Sequence, residues 1–133
     1  MKRVLAFILS IVIFVSVFAV VVQAISVYNN HTMVTNTNFA ITDDGVASVY
    51  TSYDAYEDVM TGATITITIK KRSFLFFWNE VTTHTLYSTK TSYSNLFEYQ
   101  LSGGGTYKCE VEYVISGTAG EADVIPFEDT LTY

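Results

Sequence analysis

The sequence predicts an all-β fold, a single antiparallel sandwich of about seven strands preceded by an N-terminal hydrophobic signal segment. Two runs alternate apolar and polar residues with a period of two. They are Ala63–Lys70, with Ala63, Ile65, Ile67 and Ile69 against Thr64, Thr66, Thr68 and Lys70, and Thr106–Ile115, with Tyr107, Cys109, Val111 and Tyr113 against Lys108, Glu110 and Glu112. Such a period suits a strand with one face on a core and the other in water. Asp-Gly, Gly-Gly-Gly and Ser-Gly turn signals punctuate the runs, no helical period is present beyond residue 24, and the chain has 1 proline.

The N-terminus stands apart. Lys2-Arg3 is a short positive region, Val4 to Val22 carries no charge, and Val22-Gln23-Ala24 offers small or apolar residues at the positions a signal peptidase reads. Cleavage after Ala24 makes residues 1–24 a signal peptide and residues 25–133 the domain. The apolar run exceeds the roughly 7–15 residues of an ordinary signal core and approaches the ~20 of a span, so an uncleaved anchor is the alternative. Either way the domain is expected to be exported, secreted or held at the outer surface. Losing Lys2 and Arg3 takes the net charge from −6 to −8. An acidic domain argues against nucleic acid as a partner, because phosphate binding needs a basic surface. The lone cysteine, Cys109, lies on the apolar face of its run and is expected to be a buried hydrophobe, with no disulfide framework.

In chain order, Ile25–Thr42 suggests a weak, broken first strand at an edge, containing the formal glycosylation acceptor Asn30-His31-Thr32. Thr42-Asp43-Asp44-Gly45 is a turn, and Val46–Tyr53 a strand with Ala47, Val49, Thr51 and Tyr53 on one face. Tyr53–Gly62 reads as an acidic, aromatic loop before the Ala63–Lys70 strand. Lys70-Lys71-Arg72 leads into Phe74-Leu75-Phe76-Phe77-Trp78, after which Val81–Tyr87 continues as a threonine-rich strand. Ser88–Asn95 reads as turn, Leu96–Leu101 and Thr106–Ile115 as strands around Gly103–Gly105. Ala122–Tyr133 is the last strand, with Pro126 demanding an edge or a bulge because it cannot donate to a ladder. No further domain or C-terminal anchor is expected.

This order of strands resembles an immunoglobulin-like sandwich, with Val46–Tyr53 as strand B, Ala63–Lys70 as C, Phe76–Tyr87 as C′, Leu96–Leu101 as E, Thr106–Ile115 as F and Ala122–Tyr133 as G. Tyr107 resembles the tyrosine-corner residue of that fold and Cys109 its second cysteine. Thr51 or a neighbour stands where the first cysteine would be, and Trp78 falls after strand C, so the likeness is to the architecture and not to an antibody domain. Tyr28-Asn29-Asn30 is similar to the mature start of small uncharacterised secreted proteins of Gram-positive bacteria. The resemblance implies no activity.

For function, the aromatic run and its basic flank stand out. Consecutive strand residues face opposite ways, so Phe74–Trp78 cannot all enter one core, and exposed apolar patches mark interaction sites. Lys70, Lys71, Arg72, Phe74, Phe76 and Trp78 are the candidate interaction surface. The ordinary alternative is that this hairpin folds over the open end of the sandwich. The partner would be a protein, a glycan or an envelope surface, with membrane contact only through residues 4–22 or the Phe74–Trp78 hairpin. Tyr50, Tyr53, Tyr56, Tyr87 and Tyr93, expected on loops or outward faces, could stack on sugars if they formed a row, although tyrosine is also simply a good strand residue. Asp43, Asp44, Asp54, Glu57 and Asp58 flank opposite ends of one strand and read as solvated acids, so no metal is expected. His31 and His84 have no triad or metal spacing, Glu110 and Glu112 share a solvated face, and the Gly103–Gly105 turn precedes a strand, so it lacks the helix N-terminus that cradles phosphate. No catalytic residue and no cofactor is expected. The reading is an exported, non-catalytic binding or adhesion module, with a structural or self-associating envelope component as the alternative.

Overall fold

The computed structural model describes residues 29–133, and the expected signal segment, residues 1–24, lies outside them. Seven strands follow one another: β1 (Thr32–Ile41), β2 (Val46–Ala55), β3 (Met60–Phe74), β4 (Phe77–Ser88), β5 (Ser92–Gln100), β6 (Thr106–Gly117) and β7 (Asp123–Thr132), and no helix occurs among the described residues. They form a sheet of order β1-β2-β5 and a sheet of order β4-β3-β6-β7, with antiparallel pairing throughout. The inner faces are the apolar positions of the period-two runs: Ala47, Val49 and Tyr53 from β2, Ile65, Ile67 and Ile69 from β3, and Tyr107, Cys109, Val111, Tyr113 and Ile115 from β6. β3 and β6 are the two central strands of their sheet, which is why their alternation is the cleanest. Each fully buried isoleucine contributes about 1.5–3 kcal/mol of burial free energy.

Three tyrosines are wholly buried, and each keeps its ring in the core while its hydroxyl finds a partner. Tyr53 Oη donates to Lys90 O (2.7 Å), tying β2 to the β4–β5 turn. Tyr107 Oη donates to Gly103 O (2.6 Å), fastening the start of β6 to the glycine turn before it. Tyr113 Oη donates to Asn36 O (3.0 Å) and meets Thr37 Oγ1 (2.6 Å), so a β6 residue is bonded to β1 in the other sheet. A buried phenol without such a partner would carry the desolvation cost of its oxygen.

Cys109 is fully buried and reduced. Burial, then the nearby Asp129 and Glu110 carboxylates, push its thiol up to about 12. Since the thiolate is the reactive form, we expect iodoacetamide to leave Cys109 unmodified in the native protein at pH 8 and to label it fully in denaturant. Equal labelling rates in the two conditions would exclude the buried placement.

Several expectations need correction. β1 is a continuous edge strand of 10 residues, with its single irregularity between Thr32 and Val34. The loop expected at Tyr53–Gly62 shrinks to Tyr56–Val59, because Tyr53 and Ala55 are buried in β2 and Met60 already belongs to β3. Tyr53 thus faces the core and not a loop. The turn expected over Ser88–Asn95 shrinks to Thr89–Thr91: β5 already begins at Ser92, since cross-strand pairing with β2 (Asp54 with Ser92, Ser52 with Ser94) outweighs the turn preference of serine and asparagine. Lys70-Lys71-Arg72 continues β3 and does not follow it. Pro126 sits in β7, an edge strand, opposite Glu112 and without a register shift.

Candidate functional site

The β3–β4 hairpin overhangs the sandwich. The last β3 residue paired with β6 is Lys71, opposite Tyr107, whereas β3 and β4 go on pairing through Arg72–Trp78 to Phe74–Phe77. A shift in register between Arg72 and Phe74 twists the projecting part. The tip is Leu75-Phe76, and Leu75 holds a φ of 44°, the left-handed region that a β-carbon disfavours. Tight hairpin turns usually place glycine, asparagine or aspartate there. Here the residues are Phe74, Leu75, Phe76 and Phe77, exposed by 67, 61, 87 and 67%. The hairpin therefore does not fold back over the end of the sandwich.

The basic residues behind the tip are of two kinds. On the outer sheet face, Lys70 and Lys108 both pair with Glu110, the latter at 2.9 Å, and Lys108 also reaches Glu128 at 3.5 Å. The Glu110 hydrogen bond raises the Lys108 pKa against the opposing effect of burial. Burial pushes Glu110 up, but its bonds from Lys70 and Lys108 outweigh that and hold it below the ordinary range. Lys70 is thus ion-paired, sharing Glu110 with Lys108. By contrast, Lys71 and Arg72 meet no carboxylate among the described residues. Lys71 Nζ lies 5.3 Å from the Tyr107 ring centre and donates to Ser102 O at 3.4 Å. Arg72 Cζ and Lys108 Nζ both lie 4.9 Å from the Trp78 ring centre, so the indole is a platform for two cations and only half-buried. Of the six candidate surface residues, Phe74, Phe76 and Arg72 are exposed together at the projecting end. Trp78 and Lys71 form the row beneath, and Lys70 belongs to the ion-paired sheet face. Leu75 and Phe77, not among the six, complete the tip.

The other candidates disperse. Tyr50 projects from the outer face of one sheet and Tyr87 from the outer face of the other, while Tyr56 lies in the β2–β3 loop. Tyr93 leans on Tyr53 with ring centres 6.1 Å apart. They make no common platform for a sugar. His84 stacks on Phe97 across the sandwich, ring centres 4.6 Å apart, and is a packing residue. Asp43 and Asp44 lie in the β1–β2 turn, and Glu57 and Asp58 at the other end of β2.

One constellation has no local signal in sequence. The Asp123 carboxylate, at the start of β7, accepts the backbone N–H groups of Asn30, His31 and Thr32 and the Thr32 hydroxyl, each at 2.8 Å. His31 is fully buried; its Nε2 accepts from Ala119 N–H at 3.3 Å, and its Nδ1 lies 3.6 Å from Asp123 Oδ1, beyond hydrogen-bond reach. Gly117 lies so close to the imidazole and to Val59 O that it has no room for a β-carbon. This cluster fastens the first described residues to the last strand at the end of the sandwich opposite the hairpin. Only the separation of 92 residues between His31 and Asp123 hid it. Comparison with known families, curated proteins and solved structures returns no match for this chain.

Proposed function

We propose that the protein is an exported, immunoglobulin-like sandwich that acts as a non-catalytic binding module, making contact through the tip of the β3–β4 hairpin. The export reading rests on the charge and apolar pattern of residues 2–24. The immunoglobulin-like reading is supported by the sheet orders β1-β2-β5 and β4-β3-β6-β7 and by the Tyr107 hydroxyl bonded to Gly103 O, the bond a tyrosine corner makes. The observation that carries the binding reading is the run of four exposed apolar residues, Phe74–Phe77, on a projecting turn. Isolated exposed apolar residues are normal on any surface. A contiguous set, with an unfavourable φ at a leucine, runs against both solubility and backbone preference.

Single replacement of Phe74 or Phe76 by Ser is expected to reduce retention of the protein on native envelope material by about tenfold, the loss of roughly one buried aromatic contact. The circular dichroism and denaturation midpoint should stay near wild type, because neither side chain is packed in the core. Undiminished retention in both variants with the fold intact would sink the binding reading. Self-association as an envelope component is the other outcome, and concentration-dependent light scattering on the wild type would reveal it.

A further inference from the structure

Resting on the binding reading, we infer that the hairpin tip is a bilayer-insertion finger, and that its partner is the interfacial region of a phospholipid membrane. The shape comes first. Phe74 and Phe77 face each other at the neck of the turn, Leu75 and Phe76 cap it, and all four are open to solvent, so apolar surface points outward around the tip. Acyl chains can close around such a convex end from every side. A rigid partner would need a pocket matched to it. Depth agrees as well. The arms project about three residues beyond the last β6 pairing, roughly 10 Å at the rise of a strand, and interfacial segments bury their apolar face about 5–10 Å deep.

The residues behind the tip are those that an interface favours. Trp78 lies two residues from Phe76, about 7 Å back, with Arg72 and Lys108 over its ring and Lys71 one row further down. Once the phenylalanines reach the acyl boundary, the indole and the cations stand at headgroup depth, where tryptophan and snorkelling cations are enriched. Arg72 and Lys71, unpaired with carboxylates among the described residues, are free to meet lipid phosphates. A second copy docked tip to tip would instead set those same cations against their own counterparts. The domain is acidic overall, and Asp43 and Asp44 sit in the turn at the same end, so the apolar tip and not net attraction supplies the driving force. Leu75 fits this account, since glycine would relieve its φ of 44° but would remove apolar surface from the apex.

The chain carries 1 tryptophan, so indole emission reports on this row of the hairpin alone. That makes the test specific even in the full chain, whose residues 4–22 could hold it on a vesicle. β3 has 15 residues, about 50 Å, and the described N-terminus lies at its far end. Full-length protein is mixed with phosphatidylcholine–phosphatidylglycerol vesicles carrying brominated acyl chains. The expected result is a blue shift and quenching of Trp78. Phe74→Ser with Phe76→Ser should weaken the half-saturating lipid concentration about a hundredfold, and Leu75→Gly about tenfold without loss of folded stability. Trp78 emission indifferent to vesicles, while envelope retention still responds to Phe74→Ser, would overturn the lipid partner and leave the binding reading standing. An emission shift that follows protein concentration without lipid would overturn it in favour of a second copy. Indifference in both assays removes both readings.

Discussion

Asp123→Asn is expected to destabilise the domain by about 3 kcal/mol. Asp123 is 5% exposed and its carboxylate oxygens accept from three backbone N–H groups and one hydroxyl, with His31 Nδ1 lying 3.6 Å from Oδ1. An amide of the same shape has one acceptor oxygen. Set at the Oδ2 position, it keeps the bonds from His31 N–H, Thr32 N–H and the Thr32 hydroxyl. It then turns its NH2 against Asn30 N–H and gives up the charge that strengthens all of these bonds. Buried N–H groups left unpaired carry their full desolvation cost. The measurement is urea denaturation at neutral pH, and a loss below about 1 kcal/mol would mean that water replaces the carboxylate.

The same residue sets an acid limit. Burial pushes Asp123 up, but the backbone N–H of His31, the Thr32 hydroxyl, and the N–H groups of Asn30 and Thr32 together outweigh it and hold the pKa below the ordinary 3.8. A group whose pKa is lowered on folding gives stability that is fully present above its unfolded value and is lost as pH falls through the folded one. Stability from this site should therefore be constant above about pH 5 and decline below about pH 4. Asp123→Asn should flatten that part of the acid limb, and a limb identical to wild type would place its origin elsewhere.

Gly117→Ala is the second large effect, about 3 kcal/mol or more. The obstacle is contact and not backbone strain: a β-carbon at Gly117 would collide with Val59 O and with the His31 ring. Neither can move cheaply. Val59 O accepts from Thr118 N at 2.8 Å, and His31 is held by Ala119 on one side and Asp123 on the other. Because both substitutions act through His31, the double variant should lose less than the sum of the two. Strict additivity, measured by denaturant midpoint, would show that the two ends of the cluster are independent.

Sequence periodicity located the elements well where burial was one-sided and complete. Ile65, Ile67, Ile69 and the Tyr107–Ile115 face fall where the alternation put them, because a strand between two neighbours has no other way to bury alternate residues. It failed on β5, whose Ser92–Asn95 segment is held by pairing with β2 and not by its own propensity. Tyr53 instead follows the alternation, on the buried face with Ala47, Val49 and Thr51, and not the loop or outward position expected of it among the tyrosines. The candidate surface was half legible. Five large apolar residues in a row had to leave some outside, but which ones depended on where the β6 pairing stopped.

By itself the sequence determined the all-β class, the strand faces and the presence of an apolar surplus at Phe74–Trp78, since these follow from side-chain character at a fixed period of two. Only the tertiary structure decided how that surplus is displayed. Lys71 is the last residue of β3 to find a partner in β6, so the hairpin projects, and Trp78 turns back under Arg72 and Lys108 while four residues remain in water. It alone joined His31 to Asp123 at the opposite end. Both are contacts between residues far apart along the chain or between neighbouring strands, and a one-dimensional pattern carries no distance between them.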